Sequence, residues 1–201
     1  MEKSLLAGAA SAVALFASPA SATTFMVQAQ ANSSSGGTAL NTGINLNAGD
    51  FFTVSSSLND LWSAGDLPRY SDANGLVANR YATPADDSGQ ATGTLIGADF
   101  GLWTQGGLSA PYGSLVGEIG GTYQVLGANY AGTAWNSGPL DLFYWDENSY
   151  DNFGAIKFNV SAARGAVPEP STWAMMLLGF GLVGGSVRSA RRQQKLNLSH
   201  A

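Results

Sequence analysis

The chain has no cysteine, and its single histidine, His200, stands next to the last residue. Disulfide and thiolate chemistry are therefore excluded. Without an imidazole in the body of the chain, Ser-His-Asp catalysis and His-ligated zinc are excluded as well. A carboxylate pair is the remaining route to hydrolysis, but the acids stand in turn-rich segments with no evident pairing, and the chain reads as non-enzymatic. Charge is scarce too, at 11% of residues. Between positions 23 and 166 the bases Arg69, Arg80, Lys157 and Arg164 face twelve acids, a balance of −8. Such a surface repels phosphate backbones, which argues against nucleic acid as a partner. Clustered acids favour cations instead.

What is present begins with an export signal over residues 1–22. Lys3 supplies the positive start, Leu5 to Phe16 the apolar core, and Ala20-Ser21-Ala22 a small-residue cleavage site after Ala22. The Sec translocon and signal peptidase are the implied partners. Residues 23–163 show no helical period, whereas period-2 alternation recurs. Ile156, Phe158 and Val160 alternate with Lys157, Asn159 and Ser161, and Leu140, Leu142 and Tyr144 alternate with Asp141, Phe143 and Trp145. The second run is bulky on both faces, which suits a central strand. Further strands are expected at 24–31, 50–57, 93–98, 115–119 and 122–127, with Gly120-Gly121 as a two-residue hairpin. Together these predict an all-β fold, an antiparallel jelly-roll-like sandwich between an N-terminal signal helix and a C-terminal transmembrane helix. The Asp-, Asn- and Gly-rich stretch 59–92 breaks the rhythm and is expected as a long loop.

The C-terminal end has three parts in order: a linker over 164–170 with Pro168-Glu169-Pro170, an uncharged apolar run over 171–187, and a basic tail over 188–201 with Arg188, Arg191, Arg192 and Lys195. The run of seventeen residues makes a helix of roughly 25 Å against a hydrocarbon core of about 30 Å, a length that suits a marginal span or a buried core helix. Gly179, Gly181, Gly184 and Gly185 weaken the helix by nearly 1 kcal/mol each, which suits temporary residence in the inner membrane. Basic residues stay cytoplasmic, so the body of the chain faces outward. Pro168-Glu169-Pro170, Trp173, Gly179-Phe180-Gly181 and Arg191-Arg192 closely resemble the PEP-CTERM sorting signal of exported Gram-negative proteins. That resemblance implies processing by an exosortase near Pro168 to Pro170, a transient anchor, and a destination at the cell surface or outside it, in bacteria that make exopolysaccharide.

The densest set of oxygen ligands is Asp146-Glu147-Asn148-Ser149-Tyr150-Asp151-Asn152, between two expected strands. Such a loop suits Ca²⁺, which takes six to eight oxygens, and equally suits a plain solvated turn. Thr42-Gly43-Ile44, Ala48 to Val54, Asp72 to Gly75, Ser114 to Gly120, Leu140 to Leu142 and the acidic loop make the domain look like the calcium-dependent galactose-binding lectins of the PA-IL type. The resemblance implies Asp146, Asp151 and Asn152 as side-chain ligands of calcium, a main-chain oxygen from Asn148, and a carbonyl near Trp62. The loop is two residues shorter than in those lectins, and Asp151 stands where they have Asn. A galactoside-like sugar or exopolysaccharide would then bind at Asp146 and Asp151, with Trp145 beside them for stacking or for the core. The expected function is a non-catalytic carbohydrate-binding envelope or matrix protein. The alternative is a structural matrix protein without a specific sugar or metal; an ice-associated role is disfavoured because no internal repeat is present.

Overall fold

The structure is a computed structural model that describes residues 22–162, 175–182 and 188. Two compact units are present, Pro19–Arg164 and a second formed by Met1–Ser18 with Gly165–Ala201. In the second unit residues 175–182 are helical. Among the described residues no helix is long and apolar enough to cross a membrane. The expected signal over 1–22, except Ala22, lies outside the described residues, as do Pro168, Glu169, Pro170, Arg191, Arg192 and the rest of the expected 171–187 helix.

The first unit is built from strands alone. In chain order they are β1 (Ala22–Gln28), β2 (Leu40–Leu46), β3 (Phe51–Ser55), β4 (Trp62–Ser63), β5 (Tyr70–Ser71), β6 (Arg80–Tyr81) and β7 (Leu95–Gly97). They continue with β8 (Leu102–Gln105), β9 (Leu108–Pro111), β10 (Leu115–Ile119), β11 (Thr122–Val125), β12 (Asn129–Thr133), β13 (Gly138–Tyr144) and β14 (Phe153–Ala162). One sheet runs β12-β3-β14-β4-β5, with β1 on the other side of β14, and the second runs β11-β10-β13-β2. Every strand pairing within and between these elements is antiparallel. The fold class is therefore the all-β antiparallel sandwich that the alternation predicts.

The alternation places the core. In β14, Ile156, Phe158 and Val160 are fully buried while Lys157 and Asn159 face solvent. Leu140, Leu142 and Tyr144 of β13 join them, with Trp62, Phe52 and Leu115, in one apolar cluster between the sheets. Each such side chain contributes about 1.5–3 kcal/mol on burial. Phe143 and Trp145 point to the opposite face, where they pack with Ala110 and Val116 under Trp103 and Leu108. The β8–β9 hairpin covers that face, which explains why the run from Leu140 to Trp145 is bulky on both sides.

The Gly120-Gly121 hairpin is present: Ile119 pairs with Thr122, and both glycines take positive φ, 59° and 78°. That pair of angles is the type I′ turn that matches strand twist. The stretch 59–92 departs from expectation, because it is packed rather than a free loop. Trp62, Ala73 and Leu76 enter the main core, and Leu61, Ala82 and Ile96 form a smaller one. Short polar turns stand in for long strands here: Asn74 N donates to Asp72 Oδ1 at 2.8 Å, and Arg80 pairs with Asp72 at 2.8 Å.

β14 crosses β4 at Gly154, which pairs with Trp62. Gly154 has φ +87°, and a Cβ there would lie 3.0 Å from Trp62 Cα and 3.1 Å from the Leu61 carbonyl. Gly154→Ala is expected to destabilise the chain by about 1–3 kcal/mol. A urea titration should show a lower midpoint with unchanged slope; an unchanged midpoint would contradict the crossing described here.

Candidate functional site

β13 ends at Tyr144 in one sheet and β14 begins at Phe153 in the other, so the acidic loop bridges the sheets at one end of the sandwich. A second segment pins its backbone. Ser33 bridges Tyr144 in parallel; Ser34 N donates to the Tyr144 carbonyl at 2.8 Å, and Tyr144 N donates to the Asn32 carbonyl at 2.9 Å. Ser34 Oγ donates to the Asp146 carbonyl at 2.9 Å. The Asn148 carbonyl accepts from Ser33 Oγ at 2.9 Å and from Asn152 Nδ2 at 2.8 Å. Glu147 N donates to Asp146 Oδ1 at 2.6 Å.

The backbone of the loop is thus well satisfied, while its side-chain oxygens are not. Asp146 Oδ2, Asn148 Oδ1, Asp151 Oδ1 and Asn152 Oδ1 are buried without a hydrogen-bond partner, as is Tyr144 Oη at the end of β13. These are five of six such atoms among the described residues, so they form one local concentration rather than scattered defects. A buried polar atom without a partner costs about 1–3 kcal/mol, and a charged one more. A cation that accepts oxygen lone pairs would remove that cost at each atom it reaches.

The electrostatics agree with this placement. Burial pushes the Asp146 carboxyl up to about 6, hydrogen bonding from the Glu147 N–H, the Asn152 side chain and the Asn148 N–H opposes the rise, and the nearby Asp151 charge adds to it. Burial also raises the Tyr144 phenol well above its ordinary range, with the charges of both Asp146 and Asp151 acting in the same direction. Among the described residues no group of three or more His, Cys, Asp or Glu side chains could hold a metal; the set here is two carboxylates and two amides.

The loop that follows Trp62 lies at the same end. Ser63 pairs with Phe153 and Trp62 with Gly154. Gly65 has φ +119°, and a Cβ there would sit 2.8 Å from Asp151 Oδ2, so only glycine lets the backbone approach this closely. Arg69 Nη1 stands 3.6 Å from the same oxygen and donates to the Ala64 carbonyl at 3.2 Å.

Two expectations need correction. The Asn148 main-chain oxygen already accepts two hydrogen bonds, and the free atom is its side-chain Oδ1. Trp145 is fully buried and its Nε1 donates to the Trp103 carbonyl at 2.9 Å, so its ring faces the core and not a ligand. The Trp62 indole is also fully buried, with Nε1 donating to the Gly113 carbonyl at 2.8 Å, which leaves only backbone at that position for a ligand. Arg69, Phe100 and Tyr112 connect to the loop from other segments and were not expected there. Arg69 and Phe100 carry no local signal. A separate cavity of about 170 Å³ is lined by Tyr70, Asp72, Leu76 and Arg80. Its carboxylate is already paired with Arg80, so it offers no free ligand.

The PEP-CTERM protein-sorting motif matches residues 166–192. The chain therefore carries that motif, and Pro168, Glu169, Pro170, Arg188, Arg191 and Arg192 fall within it. No curated protein matches the chain. Among solved structures, the EclA N-terminal domain, a PllA-like lectin, is similar at 22% identity and a TM-score of 0.44, covering 69% of this chain and 94% of that one.

Asp146 generates a pH signature. Its folded value of about 6 stands above the ordinary 3.8, so the folded state holds the proton more tightly than the unfolded state. Without divalent cation, stability falls as pH rises through about 4 to 6 and levels off above, by about 3 kcal/mol at 1.36 kcal/mol per unit. Urea titrations in chelator should show this loss in the native chain and not in Asp146→Asn. A difference between the two chains that stays constant with pH would contradict it.

Proposed function

We propose that the chain is an exported, exosortase-sorted envelope protein whose β domain binds carbohydrate through a calcium ion held at the acidic loop. The observation that carries this is the cluster of buried, unpartnered oxygens on Asp146, Asn148, Asp151 and Asn152. Asp146 and Asp151 supply two negative charges, and the amides of Asn148 and Asn152 supply neutral oxygens. Ser33 and Ser34 hold the loop backbone in place before any ligand arrives. A backbone carbonyl from the loop after Trp62 is the added protein ligand. A bound calcium would supply open coordination positions at which the hydroxyls of a sugar replace water.

The sorting motif supports the cellular half of the reading. A signal peptide removed after Ala22 sends the chain outward through the Sec translocon, and a cut there removes only the first residue of β1. The apolar run and basic tail hold it in the inner membrane until exosortase cuts near Pro168 to Pro170. The β domain then reaches the surface or the surrounding matrix, where exopolysaccharide is the sugar at hand. The absence of thiol and imidazole from the domain suits a binding role over a catalytic one.

Isothermal titration of the full chain with CaCl₂ should show one site, weakened at least tenfold by Asp146→Asn or by Asp151→Asn. Methyl galactoside should give heat in calcium and none in EDTA. Absence of calcium binding would overturn the site and leave a structural matrix protein; calcium binding without sugar heat would remove the carbohydrate half alone.

A further inference from the structure

A row of side chains leads from the acidic loop. Asp151 Oδ2 lies 3.6 Å from Arg69 Nη1. The Arg69 guanidinium is held over the Phe100 ring at 4.4 Å. Phe100 meets Tyr112 edge to face at 5.0 Å between centroids. Burial raises the Tyr112 phenol above its ordinary range, and the charge of Glu147, on the acidic loop, adds to the rise. In this row Arg69 is the single positive group.

The Arg69 side chain is 37% exposed. Among the described residues its one hydrogen bond runs from Nη1 to the Ala64 carbonyl at 3.2 Å, which leaves Nη2 and Nε without a protein acceptor. The contact to Asp151 is longer than a hydrogen bond, so it orients the guanidinium without consuming its donors. The cation–π contact to Phe100 and the Ala64 bond fix the group before any ligand binds, which reduces the ordering cost of pairing. A fixed guanidinium with free N–H groups is the recognised partner of a planar carboxylate. The loop's three acids, Asp146, Glu147 and Asp151, balance a divalent cation together with Arg69, and the unused Nη2 and Nε donors of Arg69 are what it offers a ligand.

We propose that Arg69 sets specificity: the sugar taken at this site is a carboxylated hexose, a uronic acid, whose carboxylate pairs with Arg69 while ring hydroxyls reach the acidic loop. This rests on the calcium-site reading above. The domain's overall balance of −8 opposes an anionic ligand only weakly, because the Debye length is about 8 Å at physiological salt and Arg69 is in contact.

The test uses the full chain at 0.15 M salt with calcium, titrated with methyl galacturonoside against methyl galactoside and with methyl glucuronoside against methyl glucoside. In at least one pair the uronic acid should bind about tenfold or more tightly than its neutral counterpart, as expected for a charged hydrogen-bonded pair. Arg69→Gln, titrated at saturating calcium, should abolish that preference within each sugar pair, and Arg69→Lys should restore part of it. Equal binding within both pairs, or a preference that survives in Arg69→Gln, overturns the proposal even where calcium binds. Loss of calcium binding in the native chain instead removes the reading on which it rests. The comparison within each sugar pair is made on the native chain and does not depend on the variants folding.

Discussion

The crossing from Tyr144 to Phe153 is the constraint on which the site depends. Its two ends are hydrogen-bonded into different sheets, so the residues between them span the end of the sandwich with little slack. Ser33 and Ser34 take up the loop's carbonyls and its Asp146 N–H, which forces the remaining polar atoms of the side chains inward. The backbone is satisfied at the expense of four side-chain oxygens. Folded proteins rarely leave such atoms unpaired unless water, an ion or a ligand completes them. The stability gained by the core on either side, through Phe158, Leu142 and Trp62, is what allows the loop to be held in this state.

Much of this frame was legible in the sequence. β10 begins and ends where alternation and glycines place it, at Leu115 and Ile119, and β14 follows from Ile156, Phe158 and Val160. β2 was not legible: Leu-Asn-Thr-Gly-Ile-Asn-Leu has Gly43 at its centre with φ +68°, and its pairing with β13 is interrupted by a bulge. β12 was hidden for a similar reason, since Ala131 and Gly132 offer little apolar pattern. The β8–β9 hairpin did carry a signal, Gly106-Gly107 with φ 56° and 84°, of the same kind as Gly120-Gly121. The stretch 59–92 misled because polar turns bonded to their own backbone look like loop in composition while Trp62, Ala73 and Leu76 anchor them to the core.

The acidic loop was legible as a run of oxygen donors, and the arrangement of its atoms was not. Asp146, Asp151 and Asn152 stand out because oxygen ligands crowd one short run. Which oxygen of Asn148 is free depends on Ser33, more than a hundred residues away in sequence, and no local pattern reveals that bond. Trp145 is adjacent to Asp146 in sequence but on the opposite side of the strand, so period-2 geometry turns it into the second core. Arg69 and Phe100 reach the loop from two further segments and become visible only when the chain is folded.

The β domain and the sorting motif divide the work. The motif over 166–192 concerns delivery, and the unpartnered oxygens concern the chemistry open to the β domain. The most direct measurement is a crystal structure of the chain grown in calcium chloride, with an anomalous difference map. An anomalous peak ligated by Asp146, Asn148, Asp151 and Asn152 is the predicted result. Those four side chains hydrogen-bonded to protein or water, with no peak among them, would contradict it.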